Sequence, residues 1–409
     1  MPDRVPAEDS RSDRNEPGFH RPDHRGHGLG TLHGHGGAHR TRILRQGHSL
    51  ARGVFGLPVT RFQTLGSEGF GVYEPEEGLP PSSWKRVEAP ADAVLCPGFV
   101  DIHIHGALGI DTMTASPEEF VSLCDWLAEQ GYERWLPTTV CCKADAALSV
   151  AERLPEHPMI AGFHLEGPFL SPKFPGAQPE SEIAPPPAFD DPAWCPVFRH
   201  PKLKIVTLAP EREGALPLIS ALAKRGVAVS MGHTDATFDE ASRGFSAGLR
   251  SATHTFNAMR GLHHREPGAL GFALFEEGLC AELIYDRKHV SPEAASILLK
   301  CKRPDKVIAV SDSSPATGLQ EGSALTLWGN RAEVIDGRVR LVGTNTLAGS
   351  TSTLLDAFRN LSSDFGPEVA ISLTSMNPRR LLGIEGPPGV LLTFGLDLSL
   401  KEIAHPTYR

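Results

Sequence analysis

From about residue 97 to 315, short apolar, β-rich runs alternate with segments of helical periodicity. The strand-like runs are PGFVDIHIHG, ERWLPTTV, PMIAGFHLEG, KLKIVTLAPE, GVAVSMGH, SATHTF, CAELIYD and KVIAVSD, eight in all. Between them lie PEEFVSLCDWLAEQG, ADAALSVAERL, GALPLISALAKRG and SPEAASILLKC. Several of these open on Ser, Pro or acidic residues and some close on Gly, as helix boundaries favour. Strand–helix alternation implies parallel pairing through crossover helices, and eight repeats imply an α/β fold closed into a (β/α)8 barrel.

The polar exceptions to this pattern fall in one place. His103 and His105 close the first strand, Glu166 the third, His233 the fifth and Asp312 the eighth, while His254 sits in the sixth. C-terminal strand ends form the face on which such barrels carry active sites. A buried polar residue with satisfied hydrogen bonds explains any one of these, but not six at the ends of one barrel. In HIH the two imidazoles are two residues apart, so on a strand both rings share a face. Four imidazoles with a carboxylate suit zinc or another divalent transition metal such as iron, cobalt or manganese, one ion or two. Glu166 can bridge a pair through its two oxygens, which leaves Asp312 as general base.

Composition narrows the reading. The formal net charge is −9 and aromatics make up 7% of the chain. Nucleic-acid binding wants a broad basic surface or stacking platforms, so it is not expected. The seven cysteines are irregularly spaced with no CxxC, which favours free thiols over a disulfide scaffold or thiolate zinc site. No apolar run is long enough to span a bilayer, and MPDRVPAEDS lacks the apolar core of a secretory signal. Both point to a cytoplasmic protein with no membrane partner. Residues 1–40 carry His20, His24, His27, His33, His35 and His39 amid Arg, Gly, Asp and Pro. That stretch reads as a disordered, solvated tail rather than a metal-capturing tract.

HxH after strand one, His on strands five and six and Asp after strand eight resemble the amidohydrolase superfamily. Within it, FHLEGPF around Glu166 looks like the N-acetylglucosamine-6-phosphate deacetylase family. MGHTDAT, THTFNAM, HHREPGALG, YDRKHVSP, AVSDSSPATG and TLAGSTSTL agree, and the resemblance runs from about 95 to 385. It implies hydrolysis of the acetamido group of N-acetylglucosamine 6-phosphate. Glu166, His233 and His254 become the main ligands of a divalent metal, and His103 and His105 help hold a second. Some family members replace the HxH pair and work with one ion. Asp312 becomes the general acid/base. Asn257 and Ala258 contact the sugar phosphate, Arg265 and His289 its phosphate, and Leu347 and Ala348 close over the substrate. In the family the arginine of REPG reaches the neighbouring subunit's site, which implies a homodimer. A small β-rich domain is expected from 41–95 and 385–409, flanking a barrel at 96–384.

The chain departs from the family at Gln178, where a histidine that touches the sugar is usual. Glutamine still donates and accepts hydrogen bonds but carries no charge. Substrate identity is therefore less fixed than the chemistry, and a deacetylase for N-acetylgalactosamine 6-phosphate is the nearest alternative. A non-catalytic barrel predicts a broken ligand set, which this chain lacks. No GxGxxG follows an early strand and no GxSxG surrounds Ser311 or Ser313, against dinucleotide and serine-hydrolase chemistry. His164 reads either as support for the metal ligands or as a packed core residue, while His263 and His264 lie in a solvated or interfacial loop. His157 and His200 read as ordinary loop residues. NRAEVIDGRVRLVGTNTLAGS predicts a hairpin turning at Asp-Gly after strand eight.

Overall fold

The computed structural model describes residues 61–407 apart from Glu77, so the His-rich segment and residues 41–60 lie outside the described residues. All eight expected strands form: β1 (Phe99–Ile104), β2 (Tyr132–Pro137), β3 (Phe163–Glu166), β4 (Leu203–Leu208), β5 (Ala228–Met231), β6 (Leu249–Ala252), β7 (Cys280–Ile284) and β8 (Val307–Val310). β3 to β8 make one parallel sheet in chain order, and β1 pairs parallel with β2. Backbone bonds beyond the strand ends close the ring. Thr139 donates to His164 O at 3.0 Å, His105 to Ser313 O at 2.8 Å and Asp312 to His103 O at 3.1 Å. The last two place the seam between β8 and β1 at three of the candidate residues.

Each of the seven crossovers carries a helix, α1 (Pro117–Glu129), α2 (Ala144–Arg153), α3 (Cys195–Phe198), α4 (Ala215–Lys224), α5 (Phe238–Ala247), α6 (Gly268–Phe275) and α7 (Pro292–Cys301), and α8 (Leu354–Phe365) follows β8. Ser116 with Glu119, Thr237 with Glu240 and Thr353 with Asp356 form capping boxes that satisfy the first free amides of α1, α5 and α8. α3 is a single turn on a long loop, and its short apolar segment gave no helical period to read. Ile102, Leu136, Ile205, Cys280, Ile284, Ile308 and Val310 pack as one cluster. Residues from β1, β2, β4, β7 and β8 can meet only inside the ring, so the barrel is plugged by an apolar cluster and its chemistry is confined to one end.

Strands from both flanks of the barrel form a separate six-stranded sheet. Its order is Leu400–Ala404, Leu391–Phe394, Ala93–Pro97, Phe62–Gly66, Gly69–Glu74 and Lys85–Val87. Phe62, Tyr73, Trp84, Leu95 and Leu391 are buried on it. Gly98 joins this sheet to β1, and a side chain there would meet Glu133 and Val390 Cβ atoms at 2.7 Å. The expected hairpin is present as Asn330–Ile335 paired with Arg338–Leu341, turning at Asp336 and Gly337 with φ of 53° and 59°. A third strand, Ala324–Leu327, extends it through a second tight turn at Trp328 and Gly329. Among the described residues no helix is long and apolar enough to cross a membrane. All seven cysteines are free, five of them buried.

Candidate metal centre and active-site cavity

The six polar strand-end residues converge. Glu166 Oε1 lies 3.5 Å from His103 Nε2, 3.3 Å from His233 Nε2 and 3.1 Å from His254 Nε2. Its Oε2 is 3.2 Å from His105 Nε2, and Asp312 Oδ1 is 3.5 and 3.4 Å from the Nε2 atoms of His103 and His105. Two ligand groups emerge, His103–His105–Asp312 and Glu166–His233–His254, every member buried. Glu166 touches both groups, as its bridging position after β3 requires.

This donor set fits a divalent cation. The His103 and His105 Nε2 atoms face each other at 3.2 Å, as do those of His233 and His254. Each pair brings two ring nitrogens together where at most one can donate to the other. The ion-pair partners found for Glu166 and Asp312 are all histidines. Buried carboxylates and imidazoles aimed at one point, with no lysine or arginine, are the arrangement a metal neutralises. The backbone is bent to make it: His233, His254 and Asp312 have φ of 47°, 29° and 48°. Non-glycine residues seldom hold such angles unless surrounding structure imposes them. Here Ser350 N donates to Asp312 O at 2.6 Å, and His233 Nδ1 is tied to Phe174 O at 2.9 Å.

Proton affinities at the cluster follow from the crowding. Burial alone would lower His103, but the charges of Glu166 and Asp312 outweigh it and hold the ring well above its ordinary value. His105, opposed by the same burial, is pushed up to about 9 by hydrogen bonds to Asp312 and Glu166. Burial would raise Glu166 and Asp312, yet the facing histidines hold both below the ordinary carboxylate range. His164 differs. Burial and the nearby His103 charge keep it well below its usual value. Its Nδ1 meets Ile102 O at 3.0 Å and its Nε2 meets Thr207 Oγ1 at 2.8 Å. From there a hydroxyl chain runs to Thr253 at 2.7 Å and Ser230 at 2.6 Å. His164 is thus a satisfied core residue whose ring packs edge-on against His103 at 4.7 Å.

A cavity of about 530 Å³ opens over the cluster, lined by Gln178, Asn257, Ala258, His289 and Leu347 among others. Gln178 is buried in it, and its amide bridges inward: Nε2 donates to Glu166 Oε2 at 2.6 Å and Oε1 accepts from Cys141 N at 2.7 Å. His289 Nδ1 meets Asp286 Oδ2 at 2.8 Å. Burial would raise Asp286, but that contact prevails and holds it below its usual value. Ala348 and Arg265 are not in this lining. Ala348 is buried in the core beneath the hairpin, its amide on Val339 O. Arg265 is exposed and donates to His264 Nε2 at 3.0 Å, in a loop where the His263 and His264 rings lie tilted with centroids 4.3 Å apart. His157 and His200 accept from the Met159 and Lys202 amides in loops away from the cavity.

Several site residues escaped the sequence pattern. Trp328, at the tip of the unexpected third strand, lines the cavity and packs on the His105 ring at 5.3 Å. Lys173 stands at the rim, paired with Asp235 at 2.7 Å. Asp101, fully buried and pushed up to about 7 by that burial, accepts from the amides of Ser311 and His103, both at 3.2 Å. Glu282, wholly buried on β7, contacts His103 Nδ1 at 3.3 Å. The signal for Glu282 was present: one acid at an alternating position inside the apolar run CAELIYD.

Comparison with known proteins aligns with this geometry. The chain is 35% identical over 336 residues to the N-acetylgalactosamine-6-phosphate deacetylase of Escherichia coli O157:H7, covering 78% of this chain and 85% of that one. It is 35% identical over 375 residues to the N-acetylglucosamine-6-phosphate deacetylase of Bacillus subtilis, covering 88% and 91%. A solved variant of the N-acetyl-D-glucosamine-6-phosphate deacetylase of Mycobacterium smegmatis, bound to N-acetyl-D-glucosamine-6-phosphate, superposes with a TM-score of 0.76 at 28% identity. That alignment covers 85% of this chain and 97% of the other. No family model matches the chain.

Proposed function

The chain belongs to the N-acetylglucosamine-6-phosphate deacetylase family of the amidohydrolase superfamily, and from that membership we propose how its own residues carry out the reaction. It is a metal-dependent hydrolase of amide C–N bonds acting on a small molecule. The reaction is removal of the acetyl group from N-acetylglucosamine 6-phosphate, giving glucosamine 6-phosphate and acetate. The observation that carries this is the convergence of His103, His105, Glu166, His233, His254 and Asp312 beneath one cavity.

Glu166, His233 and His254 would hold the principal ion, and His103, His105 and Asp312 would offer donors for a second; zinc, iron, cobalt and manganese all suit them. A divalent ion held there would lower the pKa of a water and polarise the amide carbonyl. Asp312, kept ionised by the facing histidines, takes the water's proton and returns it to the departing amine. Gln178 braces Glu166 from the cavity side. Asn257 and the Ala258 backbone orient the sugar, Leu347 closes over it, and Ala348 supports that strap from below. His289, steadied by Asp286, faces the phosphate.

The second phosphate ligand is Arg265 of a neighbouring subunit. Two features support a homodimer through this loop: Arg265 is exposed and stands outside the lining of the cavity over the ligand cluster, and Leu262, three residues before it, is 60% exposed. Large exposed apolar side chains flanking a polar loop favour burial by a partner. The galacto epimer is the second reading, since a relative of that name is 35% identical. The gluco compound bound in the Mycobacterium smegmatis neighbour weighs for the first. Acetate release from N-acetylglucosamine 6-phosphate, its galacto epimer and unphosphorylated N-acetylglucosamine tests the assignment, with metal content measured on the same sample. Turnover of the phosphorylated gluco compound is expected, and Asp312→Asn should lower kcat by about 10²–10⁴-fold with metal retained. No turnover of any of the three by metal-loaded protein would overturn the substrate.

A further inference from the structure

We propose that Glu282 is a positioning residue for the His103 side of the metal centre, and that it makes His103–His105–Asp312 a true ion site. The inference rests on the reading of the six converging residues as metal ligands. It starts from the backs of the four imidazoles. A ring can present Nε2 to a metal only if its proton sits on Nδ1, and the partner of Nδ1 decides that. His233 Nδ1 has the Phe174 carbonyl at 2.9 Å. His105 Nδ1 and His254 Nδ1 are buried with no hydrogen-bond partner. His103 Nδ1 has a carboxylate, Glu282 Oε2, at 3.3 Å.

Glu282 has little else to do. It lies wholly buried on β7, one of the middle strands of the parallel sheet. Its other contacts are the His254 amide at 3.3 Å and a long 3.5 Å approach from the Ser251 hydroxyl. No lysine or arginine is among them. A wholly buried carboxylate with so few donors is costly as a structural element. The cost is offset when it accepts from a ring whose other nitrogen holds a cation. Glu282 also touches both ligand groups, the ring of His103 in one and the backbone of His254 in the other. It therefore orients the first group relative to the second and adds negative charge behind the HxH pair. Carboxylate–imidazole–metal relays of this kind raise ligand basicity, and losing the outer partner typically weakens metal affinity by about 10–100-fold.

The test uses the full chain. Zinc stoichiometry and cobalt titration by visible absorption are measured for wild type, Glu282→Gln, Glu282→Ala and His103→Ala. Glutamine can still accept from Nδ1 but carries no charge, whereas alanine removes orientation and charge together. The expected result is one weakened ion and one unchanged. The weakened ion loses about 10-fold in affinity in Glu282→Gln and up to about 100-fold in Glu282→Ala, and His103→Ala abolishes the same ion. If both Glu282 variants fold and bind two ions as wild type does, the proposal is overturned. The same holds if they lose thermal stability alone, which is the signature of a merely structural group. Should Glu282→Ala fail to fold, Glu282→Gln decides by itself. If His103→Ala leaves metal uptake unaltered, the ligand assignment is wrong and the role of Glu282 falls with it.

Discussion

At the scale of single residues, the candidate centre is a set of buried charges that protons on two histidines or a bound cation can balance. In the metal-free chain His103 and His105 keep protons that a metal must displace, since coordination needs neutral rings. His105 is pushed up to about 9 and His103 stands well above its ordinary value, while Glu166 and Asp312 stay ionised below theirs. The sign follows. Between pH 6 and 9 the histidines release protons on binding and the carboxylates release none, so metal affinity rises with pH and flattens for His105 above about 9. Calorimetric titration of the apoprotein in two buffers of different ionisation heat measures this release; a buffer-independent heat at pH 7 would mean that the rings were already neutral. The six converging residues were legible because each interrupts an apolar strand at its C-terminal end. Glu282 and Asp101 were harder, because their role is fixed by partners brought close only when the ring closes. Gln178 was legible as a position and not as a contact: its amide turns toward Glu166.

At the scale of elements, the period-2 and helical patterns were strong enough to locate every barrel strand and the helices α1, α2, α4 and α7. They failed where elements are short or where packing alone defines them. The third crossover carries only the one-turn α3, and the strand before Trp328 pairs solely with the hairpin it precedes. That insertion and the following TLAGS turn finish the site. The turn packs under β8's end, with Gly349 at φ 64° and any Cβ there falling 2.8 Å from Asp312 O. Gly349→Ala therefore combines a conformation alanine avoids with a clash against the strained carbonyl of Asp312. The expected outcome is a drop in kcat of tenfold or more with the ion at Glu166–His233–His254 retained, because that group does not include Asp312. Steady-state kinetics with metal analysis checks it, and unchanged kcat would show that Asp312 tolerates a shifted backbone.

At the scale of the whole molecule, strands from both flanks of the barrel form one sheet, and a single buried ion pair helps fasten it to the barrel. The β-rich composition of the flanks suggested strands; their pairing could not be read, since Phe62–Gly66 runs parallel to Ala93–Pro97 while Leu391–Phe394 enters from the far end of the chain. Glu133 on β2 meets Arg379 Nη1 at 2.7 Å, both side chains almost wholly buried, and also accepts from the Gly389 amide at 3.2 Å. Arg379 in turn donates to Gly386 O at 3.3 Å. The pair thus ties β2, the Asn377–Leu381 helix and the segment leading into Leu391–Phe394. Removing one partner strands a buried charge, which typically costs about 3–5 kcal/mol, whereas replacing both by apolar groups of similar volume is often near neutral. Glu133→Ala should therefore lower unfolding free energy by about that amount, and Glu133→Leu with Arg379→Met should recover most of it. Urea unfolding followed by circular dichroism measures both. Equal losses in the single and double variants would assign the anchoring to the packing around Gly98 and Val390 rather than to the ion pair. The metal centre lies at the opposite, C-terminal ends of the strands, so kcat of the folded double variant should match wild type even where its stability does not.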